Sequence, residues 1–316
     1  MRDRARALGH AVVLSAPYYL DLHYPADVHY AFSPAASQKA LLELEDALTQ
    51  DPRFAHVADG IRWTEQWRQG AVTLDPDESG ARILGAEACL WSELVNGQVL
   101  DLRLWSRLPA VAERFWSSPS LTDPQDMYRR QDVFIDQVLP QCGINLNAGT
   151  RSRWRALGIE ARWDDLLEML EPVKWYGRLL GAEALAARLA GTEMPQARPY
   201  DLASRLDGLI DHLPVDGSKA RQVALTCERA GSGDEGARED VGLTIHRWRV
   251  LAEAEAEAPQ GLGPLAVKLG QLADLIARRL ADGVRAEPSA LAELLVPEGE
   301  FMLALPPSLY HWLVAP

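Results

Sequence analysis

The pattern of apolar positions near the N-terminus predicts two short strands separated by a helix. Residues 11–16 form a run rich in β-branched side chains, and residues 82–91 form a second apolar run with small residues. Short apolar runs bounded by turn residues are typical of buried strands. Between them, residues 37–49 carry leucines at helical spacing. The polar stretch 50–80 contains several prolines and glycines and is interpreted as an excursion between two core elements.

Two helices are predicted after the second strand. Residues 103–116 have helical spacing, and Pro109 inside this segment should kink the helix or restart it. Asp123 and Pro124 supply an N-cap residue and a proline at the first helical position of the next helix, which should end near Gly143. The side chains expected on its inward face are Met127, Phe134, Ile135 and Val138.

Strand patterns are absent from the sequence beyond about residue 150, and helical patterns recur there. We therefore expect residues 1–150 to form one region and residues 151–316 a mostly α-helical one, joined at the weak linker 147–149. The helical patterns cover residues 166–189, 202–213, 219–229, 241–257, 265–280 and 289–295.

Composition excludes several classes of partner. Among the 316 residues, 47% are hydrophobic and 24% are charged, which suits a globular chain with a real core. The net charge of −13 argues against nucleic acid and anionic membrane surfaces as partners. No apolar run approaches the roughly 20 residues that span a bilayer. Arginines precede the apolar residues 11–14, but this run is too short for a secretion signal, and none is predicted.

No metal or cofactor site is predicted. The three cysteines, Cys89, Cys142 and Cys227, are far apart, so a zinc site or a disulfide framework is not expected. The histidines are scattered, and there is no glycine-rich phosphate loop.

Two pairs of polar and aromatic residues follow the predicted strands. Tyr19 and Asp21 come after the first strand, and Trp91 and Glu93 come after the second. Residues two apart in an extended segment project to the same side, so each pair places an aromatic ring beside a carboxylate. Such a pair suits a sugar, whose C–H face packs on the ring while its hydroxyls donate to the carboxylate. From spacing alone, aromatics in the core and acids in solvent are the more common explanation.

Three segments resemble motifs of the family 20 β-N-acetylhexosaminidases. Residues 15–21, SAPYYLD, are similar to S-x-P-W-Y-L-D/N, and residues 83–93, ILGAEACLWSE, are similar to L-G-G-E-A-C-L-W-x-E. Residues 110–118, AVAERFWSS, resemble the A-V-A-E-R-L-W-S that follows in the family. Tyr18 replaces the usual tryptophan, and Ala86 replaces the usual second glycine.

The resemblance implies an α/β fold, the C-terminal part of a (β/α)₈ TIM barrel with these strands as the seventh and eighth. It is close over about residues 8–150. Residues 151–316 more loosely resemble the helical extension of some bacterial members, best at residues 171–174.

By the same resemblance, Tyr19 binds the acetamido oxygen of an N-acetylhexosamine and Trp91 walls the acetamido pocket. Asp21 and Glu93 bind the outer hydroxyls of the terminal sugar. Three further motif residues, Glu87, Glu113 and Arg114, are interpreted as barrel support through a buried Glu–Arg pair.

Family members hydrolyse terminal N-acetylhexosamine residues with retention, using the substrate's own acetamide as nucleophile and an Asp-Glu pair as its helper and general acid. That pair lies in an H-x-G-G-D-E motif, which we expect to be upstream of this chain. Asp77-Glu78 and Asp234-Glu235 are rejected as substitutes and interpreted as solvated loops, so no catalytic acid is assigned.

The chain alone is therefore expected to be inactive, although the family acts on N-acetylhexosamine-terminated glycans or chitooligosaccharides. Two strands alone expose apolar surface and unpaired backbone groups. One alternative is a split enzyme completed by another chain that carries the N-terminal barrel half. Another is a non-catalytic carbohydrate- or protein-interaction module built on residues 151–316. Family members are often periplasmic or secreted, which leaves the compartment of this chain open.

Overall fold

A computed structural model describes residues 2–15, 18–61, 82–179 and 203–315, together with residues 181, 187, 192 and 199–201. The chain divides into two compact units. The first comprises Met1–Leu146 and Lys174–Leu206, and the second comprises Asn147–Val173 and Asp207–Pro316. The prediction of a barrel portion over residues 1–150 and a helical extension over residues 151–316 stays a prediction.

A parallel pair of short strands lies in the first unit, where the two strands were predicted. Strand β1 (Val12–Leu14) pairs with β2 (Ile83–Ala86), with Leu14 opposite Ala86. The expectation that both strands are buried is wrong, because Val13 is 54% exposed and Leu84 is 65% exposed. In the described part of the chain each strand also has only one strand neighbour, so its other edge has no strand partner there.

Several α-helices accompany these strands in the described part of the first unit. They are α1 (Arg2–Ala7), α2 (Ala26–Ala31), α3 (Gln38–Gln50), α4 (Ala58–Ile61), α5 (Leu100–Trp105), α6 (Leu108–Trp116) and α7 (Pro124–Val133).

The helix boundaries follow local signals that are legible in the sequence. The Ser37 side chain accepts a hydrogen bond from the backbone of α3, and the Asp123 side chain caps α7 in the same way. Pro109 stands in the first turn of α6, so the predicted restart is confirmed. After α7 the chain continues through a π turn and a 3₁₀ turn to Gly143, whose φ of 80° ends the helical stretch.

One expectation for the helix that begins at Pro124 is wrong. Val138 does not face inward but is 41% exposed, because the π turn Phe134–Val138 shifts the helical phase after α7. The start of the excursion expected at residues 50–80 is well packed. A 3₁₀ helix over Pro52–Val57 leads into α4, and Phe54 and Ile61 are fully buried. The remainder, residues 62–81, lies outside the described residues.

The second unit is mostly helical, as predicted, and has one large core of its own. Its α-helices are α8 (Leu146–Ala156), α9 (Asp164–Leu167), α10 (Ser218–Gly231), α11 (Glu235–Glu253), α12 (Gly263–Asp282), α13 (Pro288–Leu294) and α14 (Pro307–Val314). The linker expected at residues 147–149 lies inside α8. The pattern at 202–213 corresponds to a 3₁₀ turn, Leu209–His212.

The expectation of no strand beyond residue 150 is also wrong. Strand β3 (Leu170–Pro172) pairs in antiparallel fashion with β4 (Phe301–Leu303). The leucines just before β3 have helical spacing, and a three-residue strand is too short to display an alternating pattern. Strand β3 is recognised only by its pairing with β4, which lies far along the chain. The second half of the helix expected at 166–189 lies largely outside the described residues.

Helices α11 and α12 pack closely where Gly270 meets Ala252. A Cβ atom added to Gly270 would lie 2.6 Å from the Cβ atom of Ala252, so the close approach requires glycine. Within the described chain, none of the helices has the length and apolar character needed to cross a bilayer.

Candidate functional site

The segments that follow β1 and β2 remain side by side beyond the ends of the strands. The Cys89 amide donates to the Tyr18 carbonyl at 2.9 Å, and the Leu20 amide donates to the Cys89 carbonyl at 2.7 Å. Tyr19 and Cys89 thereby form an isolated parallel bridge. Because the strands are parallel, both segments leave the strand pair at the same end, and the residues after β1 lie beside those after β2.

Asp21 and Trp91 are joined directly. The backbone amide of Trp91 donates to Oδ1 of Asp21 at 3.2 Å. Asp21 is only 7% exposed, and burial raises the pKa of its carboxyl group. The hydrogen bond from Trp91 lowers this pKa, the charge of Glu93 raises it, and the charge of Arg107 lowers it. Asp21, Trp91 and Glu93 therefore form one electrostatically coupled group.

The side chains of this group differ in their exposure. Trp91 is 57% exposed and Glu93 is also exposed, so an indole ring and a carboxylate face solvent beside the buried Asp21. Tyr19 is half-buried and packs against a cluster that contains Leu22. An exposed ring flanked by carboxylates can stack on the apolar face of a small polar ring and accept hydrogen bonds from its hydroxyls. The four predicted site residues thus lie at neighbouring strand ends, and their individual roles stay predictions.

Tyr18, the departure from the usual tryptophan, is a core residue. It is completely buried, and its hydroxyl donates to the Phe32 carbonyl at 2.8 Å. Its ring meets Phe115 edge to face, with centroids 4.6 Å apart. Burial raises the pKa of Tyr18 far above its usual range, so the phenol stays neutral. Its hydroxyl helps to fix the segment that carries Tyr19 and Asp21.

Arg107 is a residue of this region that the sequence reasoning missed. It precedes α6, is fully buried, and donates to the carbonyls of Leu22 at 2.5 Å and Tyr24 at 3.0 Å. It also donates to the carbonyls of Leu20 and Arg103. Nothing in the sequence distinguishes it from Arg103 and Arg114, which stand in the same helical stretch, and its backbone partners are not visible there.

The predicted Glu–Arg pair of the third motif is wrong as stated. Glu113 accepts hydrogen bonds from Arg130 at 2.6 and 2.7 Å and from the Tyr30 hydroxyl at 2.7 Å. The bonds from Arg130 hold the pKa of Glu113 below its usual value. Consecutive residues of a helix do not face each other, so Glu113 cannot pair with Arg114 and pairs instead with α7.

Arg114 supports the fold by another route. It donates to the carbonyls of Ser118 and Leu121, both at 2.6 Å, and its guanidinium lies 5.1 Å from the Tyr30 ring centroid. Glu87 is not buried: it is exposed and accepts a hydrogen bond from the Ser15 hydroxyl at 2.5 Å. Of these three motif residues, Glu113 and Arg114 stabilise the packing, and each does so with different partners.

Asp234 has a defined structural role rather than that of a solvated loop residue. Its side chain accepts from the Ala237 amide at 3.0 Å as the N-cap of α11, and it pairs with Arg229 at 2.6 Å. These interactions, the cap bond first, lower the pKa of Asp234. An aspartate whose carboxylate is occupied in this way is not free to orient an acetamide, the role that the aspartate has in the family's Asp-Glu pair. The other rejected pair, Asp77-Glu78, lies outside the described residues.

All three cysteines fall in described parts of the chain and are free thiols. Among the residues that the structure describes, no group of three His, Cys, Asp or Glu side chains is arranged to hold a metal ion.

Comparisons with known proteins connect this site to a family. Residues 2–119 match the model of the glycosyl hydrolase family 20 catalytic domain. Over 123 residues the chain is 34% identical to the β-hexosaminidase subunit beta of Entamoeba histolytica, covering 38% of this chain and 18% of that protein. Over 130 residues it is 48% identical to the β-hexosaminidase subunit beta of Sus scrofa, covering 40% and 17% respectively. The chain thus spans less than a fifth of these relatives' length.

A solved structure shares the fold over nearly the whole chain. The chitobiase of Flavobacterium johnsoniae superposes with a TM-score of 0.63 at 20% identity, covering 98% of this chain and 42% of that one. Together with the family match, this places the fold in the TIM-barrel family with a large helical content.

Proposed function

We propose that this chain, whose residues 2–119 belong to the glycosyl hydrolase family 20 catalytic-domain family, supplies part of the sugar-binding wall of a β-N-acetylhexosaminidase. The observation that supports this most directly is the hydrogen bond from the Trp91 amide to Asp21, which joins the two strand ends into one surface. The proposed substrate is a glycan or chitooligosaccharide with a terminal, non-reducing N-acetylhexosamine.

In this proposal β1 and β2 are the seventh and eighth strands of a TIM barrel. Their parallel pairing and the helices that follow β2 agree with that assignment. Active sites of such barrels lie at the C-terminal ends of the strands, where Tyr19, Asp21, Trp91 and Glu93 stand.

Each of the four residues has a proposed contact. The exposed indole of Trp91 walls the pocket for the acetamido group, and the Tyr19 hydroxyl donates to the acetamido oxygen. Glu93 and Asp21 accept hydrogen bonds from the outer hydroxyls of the terminal sugar. The hydroxyls donate and the carboxylates accept, and ionised carboxylates form the stronger hydrogen bonds.

The chain alone is proposed to bind sugar without cleaving it. The family's reaction uses the substrate's acetamide oxygen as nucleophile, and an Asp-Glu pair orients the acetamide and protonates the leaving oxygen. The 316 residues contain no H-x-G-G-D-E motif. In the rejected pair Asp234-Glu235, the side chain of Asp234 is occupied as a helix cap.

Saturation-transfer NMR with N-acetylglucosamine and N-acetylgalactosamine tests sugar binding, with glucose as the control ligand because it lacks the acetamido group. Trp91→Ala should weaken binding by roughly tenfold, the effect of losing one stacked ring. Trp116→Ala is the matched control, since Trp116 lies in the same unit and is 90% exposed. Equal binding of glucose, or equal effects of the two substitutions, contradicts the proposal.

A split enzyme is the second candidate, and the exposed strand faces favour it. Val13 and Leu84 are more than half exposed on strands that each have a single described neighbour. A chain that supplies the remaining strands would bury these side chains. Co-expression with the upstream reading frame should then give hydrolysis of an aryl N-acetylglucosaminide, and Leu84→Lys should abolish it while the chain still folds. Unchanged activity of this variant contradicts the split arrangement.

A non-catalytic helical module is the third candidate, and the separate core of the second unit favours it. It predicts that Tyr19, Asp21, Trp91 and Glu93 can all be replaced by alanine without loss of partner binding. Loss of N-acetylhexosamine binding in that variant contradicts it.

A further inference from the structure

The buried guanidinium of Arg107 reaches the backbone on both sides of Asp21. It donates to the carbonyl of Leu20, the residue before Asp21, and to that of Leu22, the residue after it. A further bond at 3.0 Å reaches the Tyr24 carbonyl. Alternate carbonyls of one short segment therefore converge on a single side chain.

A guanidinium is suited to this arrangement. It presents five N–H donors in a rigid, planar fork, so carbonyls bound to it are held at fixed positions relative to one another. The same fork donates to the Arg103 carbonyl of α5 at 3.0 Å, which ties the segment to a helix. A lysine at this position would keep the charge but could not hold several carbonyls in one plane.

We infer that Arg107 is a positioning residue of the sugar-binding site: it fixes the backbone on both sides of Asp21 and so sets the direction of the Asp21 carboxylate. This inference rests on the sugar-binding role proposed above for Asp21. Arg107 does not touch the sugar; it acts through the Leu20–Tyr24 backbone. The bond between Asp21 and the Trp91 amide then forms in a segment that is already fixed.

Charge adds to the geometry. Asp21 interacts electrostatically with Glu93, Cys89 and Arg107. Glu93 opposes ionisation of Asp21, whereas Arg107 favours it. The residue that holds the backbone therefore also favours the form of Asp21 that accepts hydrogen bonds.

Hydrogen exchange of the full chain tests the inference, with Arg107→Lys compared against Arg114→Lys. Arg114 is the matched control, because it is also buried and holds two backbone carbonyls, at Ser118 and Leu121. Arg107→Lys should accelerate exchange of the Leu20 and Trp91 amides by roughly tenfold, and Arg114→Lys should leave them unchanged. Equal exchange in the two variants, or no change in Arg107→Lys, overturns the inference.

A second readout separates positioning from general loss of structure. The Trp91 amide shift, followed by NMR against pH, reports the titration of Asp21. Arg107→Gln should move that titration to higher pH, whereas Arg107→Lys, which keeps the charge, should move it less. An identical midpoint in all three proteins overturns the inference.

If these variants do not fold, NMR of the unmodified chain still tests the inference. The Nη protons of Arg107 should give separate, slowly exchanging signals with nuclear Overhauser contacts to the Leu20 and Leu22 backbone; a single averaged signal overturns the inference. If the exchange results are as expected but the unmodified chain does not bind N-acetylglucosamine, the proposed sugar-binding function is wrong. Arg107 then only fixes the backbone around Asp21.

Discussion

The carboxylate of Asp21 accepts a hydrogen bond from the backbone amide of Trp91, a residue 70 positions further along the chain. This bond fixes the indole-bearing segment to the segment that follows β1. An exposed aromatic ring is thereby held beside a buried acid through a backbone hydrogen bond. The arrangement makes Asp21 both a structural acceptor and a candidate ligand for a sugar.

Asp21→Asn is expected to raise the stability of the chain at pH 7 and to have little effect at pH 3. Burial raises the folded-state pKa of Asp21, so ionisation of this group opposes folding. The contribution of Asp21 to stability is most favourable below its unfolded-state pKa of about 3.9. It is lost as the pH rises through the raised folded-state pKa. Thermal melts of both proteins at the two pH values measure this. A melting temperature that falls at pH 7 would show that the carboxylate's hydrogen bond outweighs its burial.

His56 is expected to make the chain less stable as pH falls from about 6.5 towards 4. Burial, together with the charge of Lys174, lowers the pKa of His56 to about 4, and its Nε2 accepts a hydrogen bond from the Lys174 amide at 3.0 Å. The unfolded chain binds a proton near pH 6.5, well before the folded chain does, so the loss amounts to up to ~3 kcal/mol. Urea titrations at several pH values measure it. His56→Gln, which retains an acceptor, should flatten the dependence, and a curve of unchanged shape would rule out this histidine as its source.

Gly270→Ala is expected to destabilise the second unit by about 1–3 kcal/mol, because its Cβ atom would overlap Ala252. Gly242→Ala is the matched control on α11. It is exposed and meets nothing within 4 Å, so the gain in helix propensity should stabilise the protein by about 0.5–1 kcal/mol. Urea unfolding of both variants measures the difference. If both substitutions changed the free energy of unfolding in the same direction, α11 and α12 would have to lie further apart than described.

Asp234→Ala is expected to lower the melting temperature, whereas Asp234→Ser should preserve it. Serine still accepts a hydrogen bond from the first turn of α11, but alanine does not. Neither substitution should change binding of N-acetylglucosamine. If Asp234→Ala instead removed a hydrolytic activity of the chain, the rejected acidic pair would have to be reconsidered as catalytic.

Local signals predicted those parts of the fold that local chemistry decides. The caps at Ser37 and Asp123 and the restart at Pro109 can be read within a few residues, since each depends on its immediate neighbours. The site residues could be proposed because they follow strand ends, where parallel α/β folds gather their ligands.

Long-range partners could not be predicted in the same way. Arg107 donates to carbonyls more than 80 positions away, and backbone acceptors carry no mark in the sequence. Glu113 could have paired with any nearby cation, and only the packing of α6 against α7 selects Arg130. The antiparallel strands were missed for the same reason.

The pairing of β3 with β4 joins the two chain segments that make up the second unit. Their contact closes a very long loop, and loop closure slows folding because chain entropy is lost before the contact forms. A ribosome releases Leu170 long before it reaches Phe301, so β3 waits without its partner during most of translation. The second unit therefore completes its fold only after the segment that contains Phe301 has left the ribosome.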